Sequence, residues 1–149
     1  MNPDVSVQRE RPLICGVQAV VPMPLVALML HTAPGAGDPM YIETTLRCKL
    51  EAHSGGLHYD LVWQLDRPAH GEMWATWVTE QPPRTVLLLP DCPTDNGEPA
   101  GLDEACTLFA RHPGGHSFTY RDPDAEAIVG SPEHDQLLAE INALFPRRP

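Results

Sequence analysis

The chain has 149 residues, 42% of them hydrophobic, enough for one domain with its own core. Twenty Asp and Glu against ten Lys and Arg give a formal net charge of −10. That balance argues against a binder of phosphate backbones or of anionic membrane surfaces, because both need clustered positive charge. Residues 1–11 are polar, with Asp4, Arg9, Glu10 and Arg11, and read as a disordered tail rather than a signal peptide. Residues 12–149 read as a single domain.

Leu13 to Val21 is strand-like, Pro22-Met23-Pro24 breaks it, and Leu25 to His31 reads as a second strand. The apolar run Val17 to Leu30 is short and proline-interrupted, so it cannot span a bilayer. After a Pro/Gly loop, Met40 to Asp66 reads as one long antiparallel hairpin turning at His53-Ser54-Gly55-Gly56. Met40, Ile42, Thr44, Leu46, Cys48 and Leu50 alternate with polar neighbours on its first arm. Leu57, Tyr59, Leu61, Trp63 and Leu65 do so on the second. A period of two places one set on a core face and the other in water.

His70 to Glu80 carries Met73, Trp74, Trp77 and Val78 at a helical spacing, and a strand competes because Thr76 to Thr79 favours sheets. Thr85 to Leu89 is a short apolar strand, followed by a loop over Asp91 to Asp103. Cys106 to Arg111 and His116 to Arg121 flank the turn His112-Pro113-Gly114-Gly115 and read as a second hairpin. Asp122 and Pro123 open a short helix through Val129. Ser131 caps a final helix starting at Pro132. Its stripe of Leu137, Leu138, Ile141, Leu144 and Phe145 predicts docking on the sheet face bearing Leu61 and Trp63, or on that face of a neighbouring subunit. No internal repeat is read. The expected fold class is α+β: one antiparallel sheet of about seven strands with one or two C-terminal helices packed on it.

Chemistry is sparse. Cys15, Cys48, Cys92 and Cys106 form no C-x-x-C pair and read as small buried hydrophobes of a reduced, cytoplasmic protein. His112 and His116 stand at a metal-pair spacing for a helix, but Pro113-Gly114-Gly115 puts them astride a turn, and no metal site is assigned. His53, His58 and Asp60 lie together, and His58 with Asp60 could pair a base with its orienter; a solvated strand face is the preferred reading. Trp63 falls in the core register, whereas Trp74 and Trp77 could anchor a protein partner. No phosphate loop, nucleophile elbow or acidic metal cluster is found, so no catalytic residue and no cofactor is assigned.

Over most of its length the order of elements resembles the SsgA-like proteins of sporulating actinobacteria. Asp38-Pro39-Met40-Tyr41 is similar to the family's Asp-Pro-aromatic strand entry, and Trp63 followed by Arg67 is similar to its Trp and Arg. Val86 to Pro90 is similar to its short strand ending in proline. The family's Leu-Leu pair after the Arg is replaced by Pro68-Ala69-His70. Lys49 is the only lysine, which suits a GC-rich genome. The resemblance implies a non-enzymatic adaptor of sporulation-specific cell division, guiding septum placement through protein contacts. It implies a homo-oligomer, a trimer in the family, with no nucleic acid and no membrane insertion. The competing expectation is a small metal-dependent or hydrolytic enzyme using the hairpin histidines and Asp60.

Overall fold

Two prolines decide the first departure from these expectations. In the computed structural model, which describes residues 11–66, 71–128 and 131–144, Met23–Thr32 is a helix, α1, rather than a strand. Pro22 sits at its N-cap and Pro24 in its first turn, where a missing N–H costs nothing. Leu25 and Met29, one turn apart, are its buried residues.

Five short strands follow the α+β class but not the expected single sheet. Gln18–Val20 (β1) pairs antiparallel with Thr45–Arg47 (β2) in a two-stranded sheet. His58–Trp63 (β3), Glu72–Trp77 (β4) and Thr85–Leu89 (β5) make a three-stranded antiparallel sheet in that order. The long hairpin is therefore not one ladder. Its first arm opens as a 3₁₀ turn over Pro39–Tyr41, and its paired part turns to β1. The two arms are joined by isolated backbone bonds, Glu43 N–H to the Val62 carbonyl at 2.8 Å and Lys49 N–H to the Tyr59 carbonyl at 2.9 Å. Alternation identifies a strand; it does not identify the strand's partner.

The 70–80 segment resolves in favour of the strand. On β4, Trp74 and Trp77 are each 2% exposed, so both belong to the core and have no surface to offer a partner in this conformation. Trp63 is fully buried, and its indole N–H donates to the Asp38 carbonyl at 3.0 Å. Asp38 also accepts from the Met40 N–H at 2.9 Å, so Asp38, Pro39 and Trp63 form one structural corner. Arg67, the 1–10 part of the tail, Phe145 and the arginines at 147 and 148 lie outside the described residues. The second hairpin is also replaced. Phe109 bridges Asp91 and Ala105 bridges Asp95, so Cys106 to Arg111 pairs backward with the supposed loop.

The C-terminal elements are Pro123–Ile128 (α2) and Pro132–Leu144 (α3). Ser131 caps α3 as expected, its hydroxyl accepting the His134 N–H at 3.1 Å. Docking within the chain fails: no residue of α3 is buried, and Leu138 is 45% exposed. Leu138→Asp should accordingly change stability by less than about 0.5 kcal/mol, the usual range for a surface substitution. Thermal unfolding checks this; a loss of several kcal/mol would mean that the stripe is covered in solution.

Arg47 at the end of β2 reaches this C-terminal region. Its guanidinium donates two bonds to Asp122, at 3.0 and 2.9 Å, and lies 3.3 Å from Asp124. The bidentate bond to Arg47 holds the Asp122 carboxyl below its usual range. A depressed carboxyl adds stability above its unfolded pKa and loses it as pH falls through the folded one. Asp122→Asn should cost roughly 1–2 kcal/mol at pH 7, given partial solvent screening. The gap between the melting temperatures of variant and parent should close as pH falls below the ordinary carboxylate range and through the depressed pKa of the parent's Asp122. A gap that persists there would assign the effect to something other than the ion pair. Among the described residues no helix is long and apolar enough to cross a membrane.

Two candidate metal centres

Each cysteine pair is placed by a short antiparallel ladder. In the first, the Cys15 N–H donates to the Leu50 carbonyl (2.7 Å), Cys48 to Val17 (2.9 Å) and Ala52 to Leu13 (2.8 Å). In the second, Cys92 donates to Leu108 (2.9 Å), Cys106 to Thr94 (2.9 Å) and Ala110 to Pro90 (2.7 Å). The offsets are identical. In both ladders the cysteines are diagonal neighbours on the two strands.

The chain that follows repeats as well. Cys48-Lys49-Leu50-Glu51-Ala52-His53-Ser54-Gly55-Gly56-Leu57-His58 stands beside Cys106-Thr107-Leu108-Phe109-Ala110-Arg111-His112-Pro113-Gly114-Gly115-His116. Cysteine, leucine, alanine and the last histidine recur in register, with the first histidine and the two glycines displaced by one place. Gly55, Gly56 and Gly114 have φ of 75°, 82° and 75°, a left-handed backbone that turns each loop sharply enough to face its two histidines inward. The sequence does contain an internal repeat, which carries Cys48, His53 and His58 in one copy and Cys106, His112 and His116 in the other.

The consequence is two clusters: Cys15, Cys48, His53 and His58, and Cys92, Cys106, His112 and His116. In each, one atom from every residue lies within 4.8 Å of the others. The pairing is the same in both. The first cysteine meets the second histidine through Nδ1: Cys15 Sγ to His58 at 3.4 Å, Cys92 Sγ to His116 at 3.6 Å. The second cysteine meets the first histidine through Nε2: Cys48 Sγ to His53 at 3.6 Å, Cys106 Sγ to His112 at 3.5 Å. His112 Nε2 and His116 Nδ1 are 3.1 Å apart.

These lengths fit the edges of a tetrahedral metal site. Bonds of about 2.3 Å to sulfur and about 2.0–2.1 Å to nitrogen give a tetrahedron whose S···N edge is about 3.5 Å and N···N edge about 3.3 Å. All five observed edges lie near those values. A binuclear iron–sulfur cluster, with cysteines on one iron and histidines on the other, would spread the ligands further apart. A mononuclear tetrahedral S₂N₂ set suits zinc.

The outer nitrogens fix the tautomers of the first centre. His53 Nδ1–H donates to the Gly55 carbonyl at 2.7 Å, which leaves Nε2 unprotonated for ligation. His58 Nε2 is 2.7 Å from the Thr79 hydroxyl, leaving Nδ1 free when it donates there. Burial, with the neighbouring His53, holds His58 below its usual pKa and so in the neutral ligand form. Burial pushes the Cys48 thiol up to about 12, and a bound cation reverses that preference by stabilising the thiolate.

The structure therefore brings together residues that sequence spacing had separated. His112 and His116, expected astride a turn, converge on Cys92 and Cys106. His53 and His58 converge on Cys15 and Cys48. Asp60 belongs to neither group: it accepts the Arg47 N–H at 2.9 Å and lies 3.7 Å from the Lys49 ammonium, so it does not orient His58. Burial holds its carboxyl above the usual range against the opposing pull of those two partners. Glu51 ties the repeats together, accepting the Gly115 N–H at 2.7 Å. No family model, curated protein or solved structure matches the chain.

Proposed function

We propose that the chain is a non-enzymatic interaction domain whose fold is held by two zinc ions, one in each Cys₂His₂ centre. The observation that carries this is closure. Four protein ligands complete each tetrahedron, whereas a catalytic zinc keeps one position for water or substrate. The rival enzyme reading needs an open position or a general base, and Asp60 is committed to Arg47 and Lys49 instead. Small sheets with a 2-stranded and a 3-stranded ladder also suit a domain stabilised by metal as well as by its core.

Elemental analysis of protein produced in zinc-containing medium should find two zinc ions per chain. Cys48→Ser and Cys106→Ser should each reduce the count by one. A chain that carries no zinc would sink the proposal. The resemblance to the SsgA-like proteins would place the domain's contacts in the division machinery, among trimers of the chain. A fluorescent fusion forming ladder-like septal foci in sporulating filaments would support that placement, and diffuse signal would count against it.

A further inference from the structure

We infer that the two centres divide their roles: the Cys15–His58 centre holds its zinc permanently, while the Cys92–His116 centre is an exchangeable zinc site. This rests on the zinc reading above and concerns how each site is regulated. The repeat makes the comparison sharp, because ladder, ligand set and pairing are shared and only the surroundings differ.

The first difference lies in the outer nitrogens. In the first centre both have a partner at 2.7 Å, the Gly55 carbonyl and the Thr79 hydroxyl. In the second, His112 Nδ1 meets only the adjacent Pro113 carbonyl, at 3.2 Å and exposed. Among the described residues His116 Nε2 has no hydrogen-bond partner; its ring stacks on Phe118 instead. Losing an outer partner typically lowers metal affinity about 10–100-fold.

The second difference is where the ligands stand. His58 is the first residue of β3, 2% exposed, with its ring 5.6 Å from that of Trp77. Cys48 is fully buried directly after β2. Cys15 and His53 are the partly exposed ligands of that centre. Zinc there joins the two sheets. The second centre draws all four ligands from the stretch 92–116, outside both sheets, and both its imidazoles are partly exposed, against one in the first centre. Zinc can leave it with the three-stranded sheet still paired. Occupancy would then order or release the 92–116 unit according to the available zinc.

The test uses the full zinc-loaded chain and a graded chromogenic chelator, with alkylation of freed thiols mapped by mass spectrometry. One zinc should leave first, exposing Cys92 and Cys106 while Cys15 and Cys48 stay protected. The second should need at least about 10-fold more chelator, in line with the missing outer partners. Thr79→Val should narrow that gap by weakening the first centre, and it leaves every ligand in place. Release of both ions at one chelator concentration, or earlier alkylation of Cys15 and Cys48, would overturn the inference while leaving two bound zincs intact. A chain that binds no zinc would overturn both readings.

Discussion

Complete removal of zinc should unfold the protein. Structural zinc contributes an apparent 10–16 kcal/mol or so in small zinc domains at neutral pH, as much as the whole stability of a typical domain, about 5–15 kcal/mol. Here β1 and β2 are three residues each, too short to persist alone, and Cys15 and Cys48 flank them. His58 ties the same ion to the first residue of β3. Chelation to completion should therefore abolish the near-ultraviolet circular dichroism of the buried tryptophans and remove the cooperative melting transition. Readdition of zinc should restore both. His58→Ala should behave as the stripped protein does with respect to its first centre, and also leave Thr79 without its partner. If the stripped chain melts at the same temperature as the loaded one, the centres are not structural.

Trp63→Ala should be the most damaging substitution away from the clusters, at about 3–5 kcal/mol. Its side chain is fully buried between the Asp38 corner and β4, opposite Met73, at the point where the β3–β4 register shifts. Truncation removes the ring, leaves a cavity and takes from the Asp38 carbonyl one of its donors, leaving it the Tyr41 N–H at 3.0 Å. Nothing can collapse easily into the space, because Gly37 already lies against the ring: even a Cβ there would come within 3.0 Å of the indole nitrogen. Urea unfolding of the zinc-loaded variant measures the loss through its midpoint. Trp63→Phe should fall between variant and parent, since it retains part of the packing but not the donor. A cost below about 1 kcal/mol for Trp63→Ala would mean that this corner relaxes far more than its packing implies.

Local chemistry was legible wherever it depends on neighbours in sequence. The strand at Thr85–Leu89, the Ser131 cap followed by Pro132, the burial of Trp63 and the α+β class all follow from periodicity, turn residues and caps. Leu25 to His31 marks the limit of that reasoning. An unbroken apolar run serves a buried strand or a buried helix equally well, and the prolines at 22 and 24, taken as breakers, begin the helix instead. The α3 stripe marks another limit, because amphipathicity shows that a face is available for burial, not that this chain covers it.

By itself, then, the sequence determined some of the strands and turns, the Ser131 cap, and that the chain is acidic with a core large enough to fold. It also contained the repeated Cys-x-Leu-x-Ala start, Gly-Gly turn and closing histidine, a stretch that holds three of the four ligands of each centre. Only the tertiary structure decided that β2 pairs with β1 rather than β3, since a period of two is the same whichever strand lies alongside. Only it brought Cys15 to Cys48 and Cys92 to Cys106. Each pair is joined across a ladder whose register depends on packing far from the cysteines, and metal ligation is a property of where atoms converge in space.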